Sequence, residues 1–387
     1  MPSLNSHNRF RLGLILNFNA NWMGGIIYIL NLIKTLDFLL DKEKPEIILF
    51  YSPGLKSYIE QIKYPYFSII EWHFPSLYKG YMQSLILGRN VFISKILQNF
   101  KLDGLYPVQD FPLKTKTDTM LVSWYADLQH KHYPEFFSRR KIIEREIRIR
   151  FMLRNCNQLV ASSTTVKNDF SFYYRLRNTL DVHVFRFSSV IGDLDDHNLP
   201  ALLQKHNLPS DYYLISNQFH KHKNHIVVLQ ALELIKGNEH PVHIAMTGLF
   251  PDILKSPYLK ELHELISQQQ LETNVTFLGV IPRNEQLLLM KNARAVIQPS
   301  LFEGWSTVIE DAKSLQVPVI ASDIQVNIEQ LGDTGIYFNP HSPSELASIL
   351  KDYPGKEPGV CLYADYDMRL RQTAENFMEI FAAKLTA

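Results

Sequence analysis

The chain has 387 residues, a formal net charge of +1 and 46% hydrophobic residues. That suits a globular protein with more than one core and argues against a chain built to bind nucleic acid. Two cysteines, Cys156 and Cys361, exclude a disulfide framework and a cysteine-rich zinc site. No apolar run approaches the ~20 residues that span a bilayer, and the first residues lack a signal-peptide pattern, so a cytoplasmic protein is expected.

Apolar runs at 11–17, 46–51, 67–72, 119–124 and 157–162 are short, bounded by turn residues and rich in Ile, Leu and Val, as strands are. Helical periodicity occupies 26–40, 83–99 and 139–155. The rhythm stops at 188–211, which is acidic, carries prolines and shows no strand pattern; it reads as an interdomain connection. It then resumes with strands expected at 212–217, 242–247, 275–278, 295–298 and 318–321, and helices at 224–236, 257–270, 284–292 and 307–316. The tail, 366–387, reads as one helix. This alternation predicts two doubly wound parallel sheets, over 1–190 and 191–365, facing a central cleft outside the strand C-terminal ends.

Several loops carry candidate chemistry. Gly24 and Gly25 open the first helical pattern and suit close backbone approach to a ligand. After strand 119–124, Asp127 and His130 offer a carboxylate and an imidazole that could orient a hydroxyl or accept its proton; a capping aspartate and a surface histidine are the plainer reading. Lys141, Arg145 and Arg148 share one face of helix 139–154, which allows peripheral contact with anionic lipid, against a merely solvated face. Loop 217–224 brings Gln218, Lys221 and Lys223, where a lysine can meet phosphate as a point charge. His220, His222 and His225, with His130 and His132, invite a metal reading, but their spacing does not match a zinc site and no metal is expected.

The densest signal is SLFEGWSTVIEDAKSLQVPVIASD at 300–323. A helix starting near Ser306 presents first-turn amides and a positive dipole end. Gly304 permits close approach, and Ser306 and Thr307 add hydroxyls, so the turn can hold a phosphate. A carboxylate does not favour phosphate; it accepts from neutral hydroxyls. Glu303 before the turn and an acid within the helix therefore imply sugar hydroxyls on both sides of a diphosphate. A capped helix with acids favouring its N-terminus is the ligand-free alternative.

In this order of residues, Glu303, Gly304, Trp305 and Ser306, then an acid eight positions after the first and a PVI strand, the stretch resembles the donor site of the retaining GT-B glycosyltransferases of glycosyltransferase family 4. The resemblance is most specific over 212–340 and looser before it. Register to Pro318 places the second acid at Asp311, where the family has glutamate. Glu310 stands beside it, about 100° away around the helix. Asp311 is favoured for the ribose, with Glu310 the alternative. The family's lysine matches Lys223; its arginine position holds Gln218, and the histidine before Asp127 is replaced by Ala126.

The resemblance implies two Rossmann-like domains, a last helix returning to the first domain, a nucleoside diphosphate sugar donor, and a glycan or lipid-linked acceptor. It also implies metal-independent hexosyl transfer with retention, in cell-surface polysaccharide or lipid-linked glycan synthesis. An epimerase or phosphorylase on the same fold, and a non-catalytic nucleotide-sugar-binding subunit, are the rival readings.

Overall fold

The computed structural model describes residues 9–19, 22–60, 62–237, 241–249, 256–355 and 360–385. The chain divides into two units, Met1–Val190 with Tyr366–Ala387, and Ile191–Asp365.

In the first unit, seven parallel strands run β1 (Arg11–Leu16), β2 (Glu46–Tyr51), β3 (Phe67–Glu71), β4 (Gly104–Tyr106), β5 (Met120–Tyr125), β6 (Gln158–Ala161) and β7 (Asp181–Val184). They lie in the order β3-β2-β1-β4-β5-β6-β7. Five of six residues in β1 are buried, because helices cover both sheet faces and no side remains for polar residues. Gly13 in β1 has a packing reason: a Cβ there would sit 2.7 Å from the side chains of both Leu102 and Leu105.

The second unit holds β8 (Tyr213–Ser216), β9 (Ile244–Thr247), β10 (Val275–Gly279), β11 (Val296–Gln298), β12 (Val319–Ser322) and β13 (Ile336–Phe338). Their order is β10-β9-β8-β11-β12-β13, all parallel. The chain winds outward in one direction from β8 and in the other from β11. The crevice at the carboxyl ends of β8 and β11 is therefore the point where strand order reverses. One core, with Ile215, Leu229, Ile297 and Ile320, covers one face of the sheet, and a second, with Leu214, Val296, Ile309 and Val319, the other.

The structure departs from the sequence reading in identifiable places. The helix expected over 83–99 is two, Leu77–Leu87 and Ser94–Asn99, because Gly88 adopts φ 64° and ends the first. Within 188–211 an eight-residue helix, Leu199–His206, starts with Pro200 near its N-terminus and ends at Asn207 with φ 54°. Strands β4, β7 and β13, of three or four residues each, went unanticipated. The tail is a helix only over Tyr366–Glu379, followed by a short one at Ala382–Leu385.

The Tyr366–Glu379 helix packs in the first unit. Phe377 is fully buried, with ring centroids 5.2 Å from Tyr106 and 5.1 Å from Phe185. Phe381 lies 5.4 Å from Phe10, and Thr373 shares a 2.9 Å hydrogen bond with Ser188. Phe377→Ala should cost roughly 3–5 kcal/mol of first-unit stability, the usual range for a buried phenylalanine. Urea unfolding followed by circular dichroism checks this; a loss below about 1 kcal/mol would mean that the returning helix contributes little.

Candidate functional site

The second unit brings its chemistry to the crevice at β8 and β11. The loop after β8 supplies Lys223 and the loop after β11 supplies Glu303. Their side chains meet at 2.5 Å, Nζ to Oε1, and are only 17% and 10% exposed. The carboxylate is held from beneath: Gln298 Nε2 donates to the same Oε1 at 2.8 Å, and Asn217 Nδ2 donates to Gln298 Oε1 at 2.9 Å. Asn217 and Gln298 are buried. The backbones are tied as well, with Leu301 N–H donating to the His222 carbonyl at 2.8 Å. Gly248, after β9, lets its strand end approach: a Cβ there would lie 2.3 Å from the Asn217 carbonyl oxygen.

Gly304 and Trp305 lead to the Thr307–Ser314 helix, and Ser306 caps it by accepting from Ile309 N–H at 3.3 Å. Gln330, from the Gln325–Leu331 helix, braces this turn at both ends. Its Oε1 accepts from Ser306 N–H at 3.1 Å, and its Nε2 donates to the Ser306 carbonyl at 2.8 Å and to Glu310 Oε1 at 2.9 Å. Lys313 Nζ reaches Glu310 at 3.3 Å and the Gln330 carbonyl at 3.0 Å.

Glu310 and Asp311 are thus both buried but differently engaged. Glu310 belongs to the brace behind the turn. Asp311 faces the Arg283–Asn292 helix, where Arg283 Nη2 meets its Oδ1 at 2.5 Å. Gln330 and Arg283 were missed from the sequence. They lie 24 residues after Ser306 and 28 before Asp311, and no local pattern links such distant positions.

The remaining loop residues sort by direction. Gln218 Oε1 pairs with His220 Nε2 at 3.0 Å, and the His220 and His222 rings stack at 5.7 Å. Lys221 opens the short turn that ends with Lys223. His225 points into the core, stacked on Phe219 at 4.8 Å. Among the described residues, no group of three or more His, Cys, Asp or Glu is arranged to hold a metal ion. Burial, with Lys223 close by, pushes the imidazole of His222 down to about 2 and that of His225 down to about 3.

In the first unit the candidate residues take structural positions. Gly24 and Gly25 start the Met23–Leu36 helix beneath Trp22: a Cβ on Gly25 would lie 2.7 Å from the indole, which itself stacks on Trp124 at 5.8 Å. Gly25 thus makes room for that ring, whereas a Cβ on Gly24 would lie at an ordinary 3.6 Å from it. Asp127 caps the Gln129–His132 turn, accepting from Gln129 N–H at 3.0 Å, and has Arg145 at 3.7 Å.

His130 was expected at the surface or as an acceptor-side base; its side chain is fully buried, with Nε2 at 3.0 Å from Glu146. Its Nε2 is thereby committed to Glu146. Burial opposes ionisation of Glu146, but donation from Lys131, Tyr174 and His130 outweighs it and holds the carboxyl at about 2. The face of Lys141, Arg145 and Arg148 is not free either. The three are paired with Glu144 at 2.9 Å, Asp127 at 3.7 Å and Asp110 at 2.9 Å.

A pH dependence follows from His225. Its folded pKa lies below the ordinary value of 6.5, so the unfolded chain binds the proton first as pH falls. The stability it contributes is complete above pH 6.5 and is lost as pH drops toward 3. His225→Phe, which keeps a ring against Phe219, should shrink the stability difference between pH 7 and pH 4.5 by about 2 kcal/mol. Thermal unfolding of both proteins at both pH values reads it out; an unchanged difference would show that His225 is not the titrating group.

Residues 200–357 match the family model of glycosyl transferases group 1. The chain is similar to the O-antigen chain mannosyltransferase RfbU of Salmonella typhimurium, 24% identical over 243 residues, covering 63% of this chain and 63% of that protein. It is also similar to O-antigen chain mannosyltransferase B of Escherichia coli, 26% identical over 214 residues, covering 52% of this chain and 54% of that one. The chain thus spans less than two thirds of the length of either relative. Among solved structures it resembles Anabaena Alr3699/HepE in complex with UDP and glucose, with TM-score 0.63 and 18% identity over 97% of this chain and 98% of that one. Residues 200–357 thus match the glycosyl transferases group 1 model, on a chain that has the GT-B fold of two parallel-sheet α/β domains.

Proposed function

We propose that this chain is a retaining, metal-independent glycosyltransferase. It would move a hexose from a nucleoside diphosphate sugar to the hydroxyl of a glycan or lipid-linked acceptor, on the cytoplasmic side, in cell-surface polysaccharide synthesis. The observation that carries this reading is the convergence of Lys223 and Glu303 at the strand-order switch, beside the capped start of the Thr307–Ser314 helix.

The roles follow from charge. Negative charge grows on the leaving diphosphate, and Lys223 with the backbone amides at 304–307 would stabilise it. Gln218 and Lys221 flank that position in the same loop. Glu303 accepts hydrogen bonds and would orient the donor sugar. Asp311 is the ribose acid, its carboxylate shared with or released by Arg283. Glu310 supports the turn and touches no donor atom. Asp127 and His130 are occupied in the first unit, so neither is assigned proton transfer. The names of the two O-antigen relatives put a mannosyl donor first among the sugars to test.

Incubation with a panel of nucleoside diphosphate sugars, with and without chelator, tests the reading. Transfer or donor hydrolysis that survives chelation supports it, and a glycoside product of inverted configuration overturns retention. Epimer formation or binding without turnover would replace it. Glu303→Gln should lower turnover by a hundred-fold or more, while nucleoside diphosphate binds as well as before or tighter, because Lys223 loses its competing carboxylate. Gln298→Leu should lower turnover about ten-fold through loss of one hydrogen bond to a charged group. Calorimetry beside kinetics separates the two effects. Parallel loss of diphosphate affinity in Glu303→Gln would move Glu303 to the wrong end of the donor.

A further inference from the structure

The basic face expected to meet lipid is neutralised, but the same region of the first unit presents a different surface. On the Leu77–Leu87 helix, Gly80 and Ser84 face inward, and Gly80 lies so close to Phe92 that a Cβ would fall 2.3 Å from its ring. The opposite face carries Tyr78, Met82, Leu85 and Ile86, which are 57%, 63%, 57% and 78% exposed. Their spacing, i, i+4, i+7 and i+8, is that of one helical stripe, here apolar and turned to solvent.

The Arg139–Asn155 helix lies against it. Tyr78 Oη donates to Glu144 Oε2 at 2.9 Å, and the rings of Tyr81 and Phe151 are 5.5 Å apart. Next to Glu144, Ile143 and Ile147 are 58% and 48% exposed and belong to a stripe continued by Arg139, Arg150 and Arg154. Scattered exposed apolar residues are ordinary; a ridge of six on two touching helices marks an interaction surface.

The charge around the ridge says what it fits. From Trp72 to Leu102 there is no aspartate or glutamate, while Lys79, Arg89, Lys95 and Lys101 are all cationic. Helix 139–155 carries seven arginines and lysines against two glutamates, in a chain whose net charge is only +1. Lys79, Arg89, Arg139, Arg140 and Arg154 are exposed and form no ion pair among the described residues. No described helix is long and apolar enough to cross a membrane. An apolar ridge edged by unpaired cations matches a surface whose interior is hydrocarbon and whose face is anionic.

We propose that the ridge Tyr78–Met82–Leu85–Ile86, with Ile143 and Ile147, docks this protein on an anionic lipid surface, held by the cations that edge it. The apolar side chains insert at the headgroup level, and Arg89, Arg139, Arg140 and Arg154 meet lipid phosphates. The helix 139–154 then contributes through its outward stripe rather than through Lys141, Arg145 and Arg148.

Co-sedimentation of the full chain with vesicles tests this, using phosphatidylglycerol mixed into phosphatidylcholine against phosphatidylcholine alone, over a salt series. Binding should require the anionic lipid and weaken as salt rises. The paired substitution L85E/I86E, at exposed positions that leave the core untouched, should weaken binding at least ten-fold. R139Q/R140Q should weaken it about five-fold per charge. Circular dichroism and thermal melting confirm that both variants fold. Absence of vesicle binding at low salt, or binding by L85E/I86E equal to the parent, overturns the proposal. So does light scattering that shows a dimer abolished by L85E/I86E with no vesicle binding, which would assign the ridge to a second copy. None of these readouts requires glycosyl transfer, so they stand or fall apart from the proposed activity.

Discussion

The ion pair between Lys223 and Glu303 joins two loops that are 80 residues apart in sequence and adjacent only because β8 and β11 are neighbours. Two nearly buried charges are costly unless they meet each other and other partners. Here the cost is offset by contact at 2.5 Å and by the amide of Gln298, itself fixed by Asn217. The orientation of Gln298 has a cause: Asn217 donates to its oxygen, which leaves its NH2 group to face the carboxylate. Glu303 is therefore held by buried residues at the ends of two strands, and the loops close around it.

Why a chain should place acids on both sides of a helix start has two answers, one for each acid in the helix. Glu310 is used internally. It accepts from Gln330 while Gln330 satisfies both backbone groups of Ser306, so the acid stabilises the turn that the helix dipole leaves positive. Asp311, one residue later and about 100° around the helix, meets Arg283 on another face. A one-residue step puts Glu310 in the brace behind the turn and Asp311 against Arg283.

Much of this was legible in the sequence, and the limits have physical causes. The buried strands β1, β2, β8 and β12 announce themselves because both faces are covered and the run is continuously apolar. Ser306 as a cap, Glu303 before it and Lys223 in the loop after β8 were all visible, since caps and strand ends are local. Side-chain direction was not. His130 looked like a loop histidine and is enclosed against Glu146; Arg145 and Arg148 looked like an outward stripe and turn toward Asp127 and Asp110. In each case the deciding partner lies at least 16 residues away in sequence. The apolar ridge stayed hidden for the opposite reason: a helix with seven large apolar residues among eleven reads as buried until the fold shows which face Gly80 and Ser84 occupy.

The pairing at the switch point also bears on what can bind there. In the free protein each charge already has a partner, so a ligand must replace what it takes away. Inorganic phosphate or a nucleoside diphosphate satisfies Lys223 but leaves Glu303, at 10% exposure, without its cation. An uncompensated carboxylate in that position is expensive. On the proposed reading a nucleoside diphosphate sugar would answer both halves: its phosphates would meet the ammonium, and its sugar hydroxyls would donate to the carboxylate released. On the proposed reading the ion pair is then more than a resting arrangement. It sets a condition that a donor carrying phosphate and hydroxyls side by side meets, and that either component alone does not.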